Sequence, residues 1–121
     1  MTEMMVARDK DCVFCKIIAG EIPSRKVYED ADLIAFHDIR PAAPIHLLIV
    51  PKLHIHNLFD CKSEHAGLLA KIALLAPQLA QAQGANRGFR FVINNGEDGR
   101  QEVYHLHAHV LGGAHPWERQ S

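Results

Sequence analysis

The chain lacks any excess of charge. Thirteen Lys and Arg stand against fourteen Asp and Glu, a formal net charge of −1 with histidines neutral. That balance gives no electrostatic basis for binding DNA, RNA or an anionic membrane surface. No apolar run approaches the roughly 18 residues of a membrane-spanning helix. Met1 to Lys10 holds no apolar stretch of the kind found in secretory leaders. The expected setting is cytoplasmic, with neither nucleic acid nor membrane as partner. Three cysteines are too few for a dense disulfide framework. Repeats, linkers and low-complexity tracts are missing as well. What remains is a chain of 121 residues. Residues 1–10 read as a disordered polar tail. Residues 11–121 read as a single domain able to bury about two-thirds of its unfolded surface.

The pattern along that domain is mixed. Residues 12–19 suit a short helix stopped by Gly20 and Pro23. Arg25–Tyr28 and Leu33–His37 read as a hairpin, and His46–Val50 as a buried strand. Ser63 to Gln83 is the main helix, with Ser63 as N-cap and Gly84 closing its C-terminus. Its apolar stripe is Leu68, Leu69, Ile72, Leu75, Leu79 and Ala82, and Pro77 inside it predicts a kink. Phe89–Ile93 and a strand through the 103–111 region flank the turn Asn94–Gly99 and should pair antiparallel. The sum is an α+β domain, one main helix on a five-stranded antiparallel sheet.

Nine histidines are many for this length. Three alternate in His105-Leu106-His107-Ala108-His109. On a strand they share one face, while Tyr104, Leu106, Ala108 and Val110 share an apolar one that should pack on the helix. A single three-histidine metal site fits poorly. The outer two Cα atoms would lie about 13 Å apart on an extended strand, whereas ligand nitrogens sit about 2 Å from zinc. A solvated polar face is the bland alternative. Divided labour is the third reading: one reactive imidazole with neighbours that orient it or bind its substrate. His65 and His115 read as surface residues, and His46 and His56 as structural or supporting. Cys12-Val13-Phe14-Cys15 is a C-x-x-C pair, compatible with a redox couple, half a zinc site or two buried thiols. Cys61 reads as a plain thiol.

The run His105–Leu111 resembles the histidine-triad motif. The wider sequence resembles the histidine-triad nucleotide-binding (HINT) branch of that superfamily, from Cys12 to about Trp117. The likeness includes Phe14–Ile18, Glu21-Ile22-Pro23, Ala35–Ile39, Ile49–Lys52 with His54, and Asn94–Gly113. It implies the histidine-triad fold, with a short N-terminal helix beside the main one. It implies a structural zinc held by Cys12, Cys15, His54 and His105. It implies a purine pocket from Phe14, Ile17, Phe36, His37 and Ile39, with Asp38 accepting hydrogen bonds from the ribose hydroxyls. His107 matches the nucleophile. His109, Asn94, Gln101 and the amides of the Gly99–Val103 segment, Glu102 and Val103 among them, match groups around the phosphate, and His105, His109 and Asn94 join His107 in the implied catalytic set.

The implied activity is hydrolysis of purine nucleoside phosphoramidates to AMP or GMP and an amine, through a nucleotidyl-histidine. A dinucleoside polyphosphate hydrolase or nucleotidyltransferase is the alternative within the superfamily, although His109 stands where those branches usually carry glutamine. A non-catalytic nucleotide-binding interaction module is the alternative outside enzymology. A homodimer through the main helix and a strand is implied too, with Trp117 reaching toward the partner's site. Two positions depart from the usual pattern. Glu102 stands where relatives often carry serine, and Arg100 where they carry glycine. An ionised glutamate can only accept hydrogen bonds and would repel an anionic phosphate.

Overall fold

In the computed structural model, residues 11–113 are described. The N-terminal tail, His115 and Trp117 lie outside them. Helix α1 is Val13–Ile18, followed by strands β1 (Lys26–Glu29), β2 (Leu33–His37) and β3 (Ile45–Pro51). Helix α2 (Ala66–Ala82) precedes β4 (Phe89–Val92) and β5 (Ala108–Gly112). The five strands form one antiparallel sheet in the order β1-β2-β3-β5-β4. This is the α+β arrangement expected from the pattern. Among the described residues no helix is long and apolar enough to cross a membrane.

Both sheet faces are covered, which explains why β2 and β3 read as unbroken apolar runs. Leu33, Ala35, Leu47, Ile49, Ala108 and Val110 pack with Ile72, Leu75, Ala76, Leu79 and Ala80 of α2. Ile34, Phe36, Leu48 and Val50 alternate to the other face and pack with Phe14 and Cys15 of α1. Leu48 pairs with His109 across β3 and β5. Strand alternation therefore turns His109 toward the α1 side and its neighbours Ala108 and Val110 toward α2.

Helix α1 has only six residues, and Cys12 caps it, its sulfur accepting the amide hydrogen of Cys15. The main helix departs from its predicted start. Ser63–His65 forms a 3-10 turn, and the α-helix begins at Ala66. His65 is half-buried there, its Nδ1 accepting the Lys62 amide at 2.9 Å. Ala82 is exposed, and Ala76 and Ala80 take the buried positions instead. Gly84, at φ 99°, follows the helix end in the left-handed conformation that glycine adopts at low cost.

The larger departure concerns the histidines. The strand starts at Ala108, so His105, Leu106 and His107 precede it. Their backbone follows another partner: the Leu106 amide donates to the Ile55 carbonyl at 2.7 Å, in the loop after β3. Tyr104 is 44% exposed rather than part of the core face, whereas Leu106 is buried in the core shared with α2.

Candidate active site and metal cluster

The histidine segment lies between the loop after β3 and helix α1, and its two ends are fixed differently. At the N-terminal end, His105 is fully buried, and its Nε2–H donates to the Pro51 carbonyl at 2.7 Å. A carbonyl can only accept, so the neutral ring keeps its lone pair on Nδ1. That atom lies 3.3 Å from Cys12 Sγ and 3.6 Å from Cys15 Sγ. Cys15 Sγ is also 3.3 Å from His54 Nδ1. One ligand atom from each of the four residues lies within 4.8 Å of the others.

This donor set fits a metal. A tetrahedral zinc with sulfur at about 2.3 Å and nitrogen at about 2.0 Å holds those atoms roughly 3.5 Å apart. The His105 bond to Pro51 is the outer support that metal-bound imidazoles usually have. Burial holds the Cys12 thiol up at about 11 and His105 down at about 4, the latter only partly offset by the Pro51 bond. Without a cation, burial thus favours the uncharged forms; a divalent ion would reverse that preference for the sulfurs.

His107 is oriented the opposite way. Its Nδ1–H donates to the His105 carbonyl at 2.7 Å, which leaves the Nε2 lone pair available. The ring packs edge-on against Phe14, with centroids 5.0 Å apart, and Phe14 meets Phe36 at 5.7 Å. Burial lowers the His107 pKa, opposed by its bond to His105 and by the charges of Asp38 and Glu102.

His109 is held by a residue whose role the sequence left open. The Ala42 amide donates to His46 Nδ1 at 2.9 Å, so neutral His46 carries its proton on Nε2. That nitrogen lies 2.9 Å from His109 Nδ1 and 3.4 Å from Asp38 Oδ2. The chain of donors leaves His109 with its own proton on Nε2, available to a ligand. Burial lowers His46, and burial with the neighbouring His107 and His46 brings His109 to about 4. Asp38, His46 and His109 also form a compact group of possible metal ligands. Ligation through His46 Nε2 would require a proton on Nδ1, against the Ala42 amide. The local geometry therefore suits proton placement better than ligation.

The remaining candidates surround this row. His37 and Asp38 are half-buried at the end of β2, and Ile17 packs against the Phe14–Phe36 cluster with Val103. Ile39 is 91% exposed and stands clear of that cluster. Asn94 is half-buried at the exit of β4. Gln101 is buried with its amide fully engaged. Oε1 accepts from Asn57 Nδ2 and the Gly96 amide, and Nε2 donates to the His56 and Val103 carbonyls. The side chain fixes the loop, and the Gln101 amide donates to the Gly96 carbonyl at 3.1 Å. Gly99 is needed in that loop, since a Cβ would stand 2.5 Å from the Asn95 carbonyl oxygen. Sequence reasoning missed the roles of His46, Asn57 and Pro51, whose partners are 40 or more residues away along the chain. The neighbouring His46-Leu47-Leu48 pattern on β3 offered only a polar residue in an apolar run as a clue.

Comparison with known proteins agrees with this geometry. The family model described as "Scavenger mRNA decapping enzyme C-term binding" matches residues 11–121. Protein HitA of Neisseria gonorrhoeae is 50% identical over 102 residues, covering 84% of this chain and 95% of that protein. The 14 kDa zinc-binding protein of Brassica juncea is 44% identical over 105 residues, covering 85% and 93%. The crystal structure of a HIT family hydrolase from Legionella pneumophila matches with TM-score 0.83 and 51% identity, over 86% of this chain and 94% of that one. With the histidine row, the sheet order and these likenesses together, the chain belongs to the histidine-triad (HIT) superfamily.

Proposed function

We propose that the protein is a hydrolase of the HINT branch that cleaves purine nucleoside phosphoramidates, releasing AMP or GMP and an amine. The observation that carries this reading is the pinning of His107 through Nδ1, which gives a neutral, oriented Nε2 lone pair beside the Phe14 and Phe36 rings. Neutral imidazole is a competent nucleophile toward phosphorus. In the first step the His107 Nε2–P bond forms and the P–N bond breaks. The leaving nitrogen keeps that electron pair and takes up a proton. In the second step water adds to phosphorus, the His107–P bond breaks, and the water's proton restores the balance. His109 Nε2–H and main-chain amides near Val103 would donate to the phosphoryl oxygens. In this reading Asn94 and the Gln101–Val103 segment would stand on the phosphate side. Asp38 would bind the ribose, and Phe14, Ile17, Phe36 and His37, with Ile39 at the rim, the purine.

Zinc on Cys12, Cys15, His54 and His105 would be structural, since four protein ligands close the tetrahedron. Its chemistry is to tie α1 to the histidine segment. A homodimer is proposed as well. Strand β4 is a sheet edge, and Leu74 of α2 and Phe91 of β4 are exposed apolar groups. Covering them with a second copy would extend the sheet. Light scattering giving a monomer mass at micromolar concentration would remove that part of the reading. The cytoplasm remains the expected setting.

The deciding experiment is AMP release from adenosine 5′-phosphoramidate by wild type and His107→Ala. Release by wild type alone supports the reading. Equal release by both removes His107 as nucleophile. AMP binding with no release from any phosphoramidate points to a nucleotide-binding module.

A further inference from the structure

The four candidate zinc ligands are not equally covered. Cys12, Cys15 and His105 are buried, and His54 alone of the four is half-buried. His105 is covered by Phe14, edge-on with centroids 5.9 Å apart, and by the buried Pro51, whose carbonyl takes its Nε2 proton. His54 is different. It lines an open cavity of about 370 Å³ whose other polar walls are His56, Asp60, Lys62, Glu64 and His65. One imidazole thus faces two ways: Nδ1 lies 3.3 Å from Cys15 Sγ, and the ring forms part of the cavity wall.

Two of those polar groups stand ready to receive a cation beside His54. The His56 ring meets the His54 ring edge-on, with centroids 5.4 Å apart. His56 Nδ1 lies 3.7 Å from Asp60 Oδ2, and both side chains are more than half exposed. The backbone beneath them is fixed. The His56 carbonyl accepts from the buried Gln101 side chain at 2.6 Å. Asn57 caps the 3-10 turn Leu58–Asp60 by accepting the Phe59 amide at 3.0 Å, and the Leu58 amide donates to Asn95 Oδ1 at 2.8 Å. His65 is committed elsewhere, its Nδ1 to the Lys62 amide and its Nε2 3.7 Å from Glu64 Oε2. Lys62 is itself a cation. The His56–Asp60 pair is therefore the part of the cavity that brings metal-ligand chemistry next to His54. Two protein ligands, with water completing the shell, hold a divalent ion weakly, which suits passage rather than storage.

Stripping a charge bare into a protein interior costs far more than thermal energy. A divalent ion therefore gives up water only as other ligands replace it. Access to a buried cluster is fastest where carboxylate and imidazole stand in succession from solvent inward. We propose that this cavity is the port of the metal cluster: His56 and Asp60 form a transient divalent-cation site that passes zinc to and from His54. This rests on the structural-zinc reading above and deepens it by naming how the cluster is loaded and emptied. A port residue lowers a barrier and leaves both end states alone. Its removal slows loading and release by the same factor and leaves the equilibrium affinity unchanged. A residue that merely supports His54 changes the affinity instead.

Zinc-loaded protein mixed with an excess of a chromogenic chelator tests it, wild type beside the double variant His56→Gln, Asp60→Asn. Affinity is measured separately, by competition with a chelator of known strength. Release should be about tenfold slower in the double variant, with Kd within about twofold of wild type. Release at the wild-type rate would overturn the port, and a rate matching the opening of residues 13–18 in deuterium exchange would assign the exit to α1 instead. Weaker affinity with faster release would also overturn it, making the pair a static support of His54. Wild type that holds no zinc would overturn the metal reading itself, and the port with it.

Discussion

His105 and His107 stand two residues apart, and a main-chain carbonyl holds one nitrogen of each. The nitrogens differ. Pro51 takes the Nε2 proton of His105, and the lone pair on Nδ1 turns inward to two sulfurs and a second imidazole. The His105 carbonyl takes the Nδ1 proton of His107, and its Nε2 lone pair is freed. Burial lowers the pKa of both rings, that of His105 to about 4. One residue type, in one environment, thus presents its lone pair in two directions, toward the sulfurs in His105 and away from the carbonyl in His107, according to which ring nitrogen meets a carbonyl. His109 is a third case, set by a side chain: His46 occupies its Nδ1 and leaves an N–H donor on Nε2.

The sharpest way to break this division is to remove one member and ask whether the other notices. His107→Ala should lower phosphoramidate turnover by at least about a thousandfold, with zinc content unchanged by atomic absorption. Loss of zinc in that variant would show that the two regions are one. Cys15→Ser is the reciprocal change. It should release the metal and lower the thermal midpoint by about 10 °C or more. Residual activity would then follow the folded fraction rather than vanish outright. A fully active, fully folded Cys15→Ser protein would deny the cluster any structural role.

His46→Ala tests the third ring. Without its Nε2–H donor the His109 tautomer is no longer fixed, and kcat should fall about tenfold to a hundredfold. Zinc content and thermal midpoint should stay close to wild type; a kcat within twofold would refute the donor chain. The smallest effect is the pH response. His107, His46 and His109 have folded pKa values below the ordinary 6.5. Unfolded chains therefore bind more protons than folded ones below that value. Stability is fully present above pH 6.5 and should decline as pH falls toward about 4, where His109 titrates. The acid limb of kcat/KM should likewise lie below 6.5. An acid limb above 6.5 would contradict the burial of His107.

The sequence made some of this legible and hid the rest for physical reasons. The hairpin, the β3 run and helix α2 declared themselves by periodicity, and resemblance assembled Cys12, Cys15, His54 and His105 from three separate motifs. The strand of histidines was over-read. Alternation of apolar and polar residues looks the same whether the backbone joins a ladder or, as Leu106 does, bonds to the Ile55 carbonyl. Tautomers were beyond reach, because Pro51 and His46 are 54 and 63 residues from their partners. Resemblance set Gln101 among the groups around the phosphate. Only the four bonds to Asn57, Gly96, His56 and Val103 reveal a side chain already spent. The start of α2 was misread because Ser63 is a good cap, yet the Lys62–His65 pair closes a tighter turn there.

The six residues of α1 have a consequence of their own. A helix that short does not persist in water by itself, and its cap and first turn are the two sulfurs that face His54 and His105. The protection of its amides against solvent exchange is therefore a gauge of metal loading. In loaded protein the Lys16 amide, bonded to the Cys12 carbonyl, should exchange with the slow core. After chelation the segment should open independently of α2 and carry Phe14 away from His107. Deuterium uptake over residues 13–18 would then report occupancy of the cluster without any substrate present.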